Sequence, residues 1–185
     1  MLEKLRRSVK ASPIVTMGEY RYFVAPITDG IPCMDPDVLR EIAAHIAEVA
    51  DLDCDIIAAP EAMGIPVAVA LSLRTGIPYN VIRKRSYDLP GEVSVCQVTG
   101  YSKCDMFING LEAGDRVVLV DDIISTGGTL FAVIQALQMM GVELVDAVAV
   151  LERGPGKARI ENELGVRVRT LLRADIVDDQ VVVSQ

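Results

Sequence analysis

The chain has no tryptophan and a single histidine, and aromatic residues make up only 4% of its 185 residues. One histidine leaves no Cys/His zinc site of ordinary spacing, and a Ser-His-Asp hydrolase would have to depend on His45 alone. His45 shares the polar side of a helical pattern with Glu41 and Glu48, and it reads as a solvated surface group. The four cysteines, Cys33, Cys54, Cys96 and Cys104, form no C-x-x-C pair. Reduced thiols in a cytoplasmic protein are therefore expected. Apolar runs such as Ile65 to Leu71 fall far short of the ~20 residues needed to cross a bilayer, and Met1 to Lys10 is charged and helix-like, without the apolar centre of a signal peptide. A basic surplus is also missing: 18 Lys and Arg stand against 26 Asp and Glu, a net charge of −8. That balance argues against a nucleic-acid partner, and the short runs against a membrane. What the chain does have is 51% hydrophobic residues, enough for one compact domain and too many for disorder.

The hydrophobic pattern alternates between two periods. Val38/Leu39, Ile42, Ile46 and Val49 recur every three to four residues behind Asp35-Pro36, a helix with its cap and first residue in place. Asp55 to Pro60 reads as a buried strand, Ile65 to Arg74 as a helix, Tyr79 to Arg83 as a strand, Arg116 to Asp121 as a strand and Ala147 to Leu151 as another. The segment after Asp121 turns through glycines into a helix with Leu130, Val133/Ile134 and Leu137 on its apolar face. Strands alternating with helices predict an α/β fold with a mostly parallel sheet flanked by helices. Residues 84–113 carry Pro90-Gly91, Gly100 and Gly110 with little periodicity, a long connection with room for a hairpin. The ends, 1–34 and 152–185, read as short strands and turns forming a small hood over a core of about 35–151.

The segment Val117 to Thr129 carries the chemistry. An apolar strand ends in Asp121-Asp122, and Ser125-Thr126-Gly127-Gly128-Thr129 then opens a helix. Glycines let the backbone approach a ligand and turn its N–H groups inward, hydroxyls add donors, and the helix N-terminus adds a favourable dipole. Together these make a phosphate cradle at the carboxyl end of a parallel strand, where such sheets bind ligands. Carboxylates beside a phosphate make sense only if the ligand also brings vicinal hydroxyls or a bound metal. They accept hydrogen bonds from a ribose diol and can hold Mg²⁺ directly or through water. Other motifs fail. Gly154-Pro155-Gly156 begins a dinucleotide fingerprint, but Arg159 occupies its third glycine position, and no G-x-x-x-x-G-K-[ST] is present.

This pattern resembles the 5-phosphoribosyl-1-pyrophosphate (PRPP) signature of the type I phosphoribosyltransferases. The resemblance implies that Asp121 and Asp122 contact the ribose hydroxyls and that Ser125, Thr126, Gly127, Gly128 and Thr129 hold the 5′-phosphate. Glu61-Ala62-Met63-Gly64 stands where the family has its pyrophosphate loop, with Met63 where the related adenine enzymes carry arginine. Arg83-Lys84-Arg85, Leu89-Pro90-Gly91 and Gly100-Tyr101-Ser102-Lys103 resemble the family's mobile loop, which brings cations to the diphosphate and excludes water. Read without the family, Glu61 is a helix-entry carboxylate and Arg83 to Arg85 a solvated strand end.

With Pro26 to Gly30, Leu89 to Glu92 and Leu151 to Gly154 added, nearly the whole chain resembles the archaeal hypoxanthine/guanine phosphoribosyltransferases. That implies a Mg²⁺-dependent, homodimeric purine-salvage enzyme acting on PRPP and a 6-oxopurine, with the metal held through PRPP and Asp121/Asp122 and no dedicated ligand set. The base would lie near Thr28, Asp29, Glu152, Arg153 and Lys157, although Lys157 reads equally as a solvated lysine on a helix from Gly156 to Leu164. Ser125 stands where many 6-oxopurine enzymes have aspartate, so no general base is assigned. Adenine or xanthine as the base, and a PRPP-sensing regulator, are the alternatives.

Overall fold

The computed structural model describes residues 2–18, 20–96 and 105–184. The chain opens with α1 (Glu3–Lys10), a hairpin of β1 (Ile14–Met17) and β2 (Tyr20–Phe23), a single turn α2 (Pro26–Asp29) and α3 (Pro36–Val49). Then follow β3 (Ile56–Pro60), α4 (Gly64–Thr75), β4 (Tyr79–Ile82) and a second hairpin, β5 (Val93–Cys96) with β6 (Asp105–Ile108). The remainder is β7 (Arg116–Ile124), α5 (Gly128–Met140), β8 (Glu143–Glu152), α6 (Gly156–Leu164), β9 (Val168–Val177) and β10 (Gln180–Ser184).

Six strands form one sheet in the order β10-β9-β8-β7-β3-β4. All neighbours pair in parallel except β10, which runs antiparallel to β9 at the edge. β7 lies between β3 and β8, and its middle is buried on both faces. Val118 and Val120 join a cluster with Leu5, Ile42, Ile46 and Leu71, while Val117 and Leu119 join a cluster with Val133, Ile134 and Leu137. Each such side chain contributes about 1.5–3 kcal/mol on burial, so this run fixes β7 inside the sheet whatever follows it. α3 starts as its sequence predicts: the Asp35 side chain accepts the Asp37 N–H at 2.8 Å, with Pro36 next in line.

Three expectations need correction. Residues 152–185 are not a cap of short strands, because β9 and β10 extend the main sheet. Two arginines of β9, Arg169 and Arg173, hide its apolar pattern in the sequence, and they are accommodated by pairing: Arg169 with Asp146 at 2.5 Å, and Arg173 with Glu152 and Asp175, each at 2.9 Å. At the other end, residues 1–34 are not all short strands and turns: α1 is a helix packed into the core. Leu5 and Val9 are fully buried, and Glu41 of α3 accepts the Leu5 and Lys4 N–H groups at 2.8 and 3.3 Å. Finally, His45 is not solvated. Its side chain is 19% exposed, and Nδ1 is shielded, 3.5 Å from Glu48. The hairpin expected within 84–113 is present, as the separate two-stranded sheet of β5 and β6.

Candidate active site

The turn from β7 into α5 is a backbone cradle. Gly127 takes a left-handed φ of 78° as the cap of α5, a conformation that favours glycine. Residues Ser125 to Thr129, with Asp121 and Ile124, line a cavity of about 200 Å³. Larger hollows of about 800 Å³ between β1 and β10, and about 810 Å³ between α3 and α4, lie away from the carboxylates and carry none of this chemistry. A second loop holds the cradle from behind. The Arg153 N–H donates to Ile124 O at 2.8 Å and the Gly156 N–H to Ser125 O at 2.9 Å. A Cβ on Gly156 would lie 2.4 Å from Gly127 N and 2.6 Å from Ser125 O, so only glycine allows this approach. Gly154-Pro155-Gly156, from its sequence a broken dinucleotide fingerprint, is a buttress for the cradle. Its G-x-G spacing is the visible signal; the partner loop is distant in sequence and invisible from it.

Both aspartates lie inside β7, which runs on to Ile124 rather than ending at Asp121 as expected, because β8 keeps pairing with it through Glu152. Strict alternation would send adjacent side chains to opposite faces. Val118 and Val120 accordingly pack in one cluster and Val117 and Leu119 in the other, up to the aspartates. At the aspartates the Asp122 N–H donates to Asp121 Oδ1 at 2.9 Å. They are 7% and 8% exposed. Burial raises the pKa of both above the usual carboxylate range, and in Asp122 repulsion from the Asp121 carboxylate raises it further. The Lys84 ammonium acts against the rise at Asp121, and the Asp29 carboxylate adds to it at Asp122. Among the described residues no group of three His, Cys, Asp or Glu is placed to hold a metal. An all-oxygen pair of this kind suits a hard cation whose remaining ligands come from substrate and water.

The second loop on the site, Glu61 to Gly64, joins β3 to α4 and contains a cis peptide between Glu61 and Ala62. A Cβ on Gly64 would lie 3.1 Å from Asp121 Oδ1 and 3.2 Å from Val120 O, so this glycine brings the start of α4 against the carboxylate. Glu61 Oε2 accepts the Lys84 N–H at 3.1 Å and lies 3.2 Å from Arg83 Nε. Arg83 is bound in turn to the second hairpin, exchanging two backbone hydrogen bonds with Phe107 at 3.0 and 2.7 Å. Near the same root Glu92 accepts from Ser86 Oγ, Tyr87 N and Asn109 Nδ2 at 2.5, 2.9 and 2.8 Å, which lowers its pKa to about 2. Tyr101, Ser102 and Lys103 lie outside the described residues.

The residues expected to meet a base fall in two groups. Asp29 accepts from Thr28 Oγ1 at 2.6 Å, Ala25 N at 3.0 Å and Tyr22 Oη at 3.0 Å. Tyr22, which sequence reasoning missed, has its pKa raised to about 12 by burial and is close enough to feel the Asp122 charge. On the other side Glu152 accepts from Thr170 Oγ1 at 2.8 Å and Arg173 Nη1 at 2.9 Å, with Lys157 Nζ at 3.6 Å. Lys157 also donates to Thr170 Oγ1 at 3.3 Å, so it is not a freely solvated lysine. Arg153 joins the two groups: its Nη2 donates to Arg21 O at 2.6 Å, and its guanidinium lies 5.4 Å from the Phe23 ring centre.

Known proteins resemble this chain in sequence and in fold. Residues 36–175 match the phosphoribosyl transferase domain family. The hypoxanthine/guanine phosphoribosyltransferase of Methanosarcina acetivorans is 53% identical over 184 residues, covering 100% of this chain and 97% of the relative. That of Methanocaldococcus infernus is 51% identical over 182 residues, covering 98% and 100%. Among solved structures, the adenine phosphoribosyltransferase of Thermoanaerobacter pseudethanolicus superposes with a TM-score of 0.75 at 22% identity, over 94% of this chain and 99% of that one, which shows the shared fold. The domain match and the full-length archaeal relatives together show that this chain belongs to the phosphoribosyltransferase family.

Proposed function

We propose that the protein transfers the 5-phosphoribosyl group of PRPP to N9 of hypoxanthine, and also of guanine, releasing pyrophosphate and the nucleotide. The observation that carries this reading is the meeting of three parts: a cradle for one phosphate, two buried carboxylates at its mouth, and a second glycine-tipped loop beside Arg83 and Lys84. PRPP is a ribose diol with a phosphate at one end and a diphosphate at the other, and it matches that order. The choice of base follows the relatives at about half identity; the adenine enzymes are alike in fold alone.

As the C1–diphosphate bond breaks, positive charge builds on the ribose ring and negative charge on the leaving group. Asp121 and Asp122 accept from the 2′- and 3′-hydroxyls and hold the sugar against the departing charge. Ser125 to Thr129 anchor the 5′-phosphate, and the cations at 83–84 face the diphosphate. Asp121 and Asp122 are the residues that would hold Mg²⁺, which when bound supplies neutralisation of the diphosphate. The base enters between the Tyr22–Asp29 group and the Glu152–Lys157 group. We assign the reaction to the cytoplasm, where exposed thiols such as Cys33 stay reduced. We assign the working form to the homodimer that the resemblance implies; the apolar outer face of α3 and α4, where Leu73 is 84% exposed beside Leu39, Ile65 and Val69, is where a substitution can test it. The reaction is tested by following IMP formation from PRPP, Mg²⁺ and hypoxanthine. A well-folded wild-type protein that forms no nucleotide overturns the reading.

A further inference from the structure

The cations expected to meet the diphosphate do not stand alone. Arg83 and Lys84 follow β4 directly, and their backbone is tied on one side to Phe107 of β6. On the other side it is tied to the pyrophosphate loop through one atom. Glu61 Oε2 takes the Lys84 N–H at 3.1 Å and lies 3.2 Å from Arg83 Nε, while the Glu61 N–H donates to Ile82 O at 2.9 Å. Glu61 thus connects β3, its own loop and the first residues after β4. The two contacts of its carboxylate differ in kind. The Lys84 N–H makes a hydrogen bond, whereas Arg83 Nε is shielded from solvent and has no aligned hydrogen-bond partner. The ion pair therefore keeps the guanidinium close without saturating its donors. Beyond the Lys84 backbone, the ammonium is near enough to Asp121 to stabilise its carboxylate, and Gly64 of the Glu61 loop packs on the same aspartate.

We infer that Glu61 is a positioning residue for the diphosphate: through the Lys84 N–H it sets where the Arg83–Lys84 backbone stands relative to the pyrophosphate loop. It touches no reacting atom, and its effect passes through Arg83 and Lys84. This rests on the PRPP reading given above. Two conservative variants separate reach from charge. Glu61→Gln keeps an oxygen at the same distance and removes the charge. Glu61→Asp keeps the charge and withdraws the oxygen by one methylene.

Dissociation constants for inorganic pyrophosphate with Mg²⁺, and for ribose 5-phosphate, are measured by calorimetry on wild type and both variants, along with KM for PRPP and kcat. Loss of a backbone hydrogen bond to a charged group weakens binding by about tenfold. Glu61→Asp is therefore expected to raise the pyrophosphate Kd and the PRPP KM by about tenfold and to lower kcat, with ribose 5-phosphate binding unchanged, while Glu61→Gln stays within about threefold of wild type in pyrophosphate Kd. The reverse order, with Gln worse than Asp, overturns the role by showing that charge on Arg83 is what counts. Equal losses for pyrophosphate and ribose 5-phosphate, or no loss in either variant, also overturn it. Wild-type protein that binds neither PRPP nor pyrophosphate overturns the underlying reading, and this inference with it.

Discussion

The two loops that flank Asp121 share one plan and differ in how they are held. Each follows a parallel strand, each opens a helix, and each relies on a glycine to come close: Gly127 against Gly156, and Gly64 against Asp121. The 125–129 loop is clamped backbone to backbone, with Ser125 O taking the Gly156 N–H and Ile124 O the Arg153 N–H. The 61–64 loop has one such backbone bond, from the Glu61 N–H to Ile82 O, and is otherwise tethered through a side chain, with the Glu61 carboxylate reaching the root of the second hairpin. A backbone clamp leaves no rotamer to change, which suits a phosphate that stays on the product. A side-chain tether can yield, which suits a group that leaves. Asp121 sits between the two, against Gly64 on one side and lining the 125–129 cavity on the other.

The comparison breaks most completely at the carboxylates. Replacing Asp121 and Asp122 together by asparagine removes both negative charges and leaves each side chain one accepting oxygen for the diol, and turnover should fall by about a thousandfold or more. Stability should move the other way. Burial raises both pKa values, so the folded state holds these protons more tightly than the unfolded chain. Their contribution to stability is complete below the ordinary carboxylate value of 3.8 and is lost as pH rises through the raised folded-state values. Thermal melts of ligand-free protein should show the double variant more stable than wild type at pH 8, with the gap closing toward pH 4. A variant less stable at pH 8 would contradict this.

The backbone clamp is tested by Gly156→Ala. The added methyl has no room against Gly127 N and Ser125 O, and overpacking of this kind costs about 1–3 kcal/mol. Ribose 5-phosphate should bind at least about fivefold more weakly while pyrophosphate binding is unchanged, the mirror image of the Glu61→Asp result. Equal losses for both ligands would mean that the two loops are not held independently. The smallest effect on chemistry is expected at Leu73→Glu, on the far side of α4 from the site. If the proposed homodimer pairs through this face, the change should give monomer in sedimentation while moving turnover little. A dimer that persists would place the interface elsewhere.

The same contrast explains how much was legible in the sequence. β7 and the 125–129 loop can be read because burial on both faces writes a continuous apolar run, and because hydroxyls and glycines adjacent in sequence build the cradle. The helix behind Asp35-Pro36 can be read because its cap is local. What the sequence concealed is non-local. Gly156 matters through a loop distant in sequence, and Tyr22 through the Asp29 carboxylate and its nearness to Asp122. β9 reads poorly because Arg169 and Arg173 interrupt its apolar pattern, and their partners Asp146 and Glu152 lie on the neighbouring strand.

The most direct measurement of the central claim is pyrophosphate release from PRPP and Mg²⁺ with hypoxanthine, guanine, xanthine, adenine and orotate supplied separately. Rapid release with hypoxanthine and guanine, and little with the other three, is the predicted result. Release confined to adenine or xanthine would contradict the choice of base. PRPP binding without release for any base would contradict the enzymatic reading and point to a PRPP sensor.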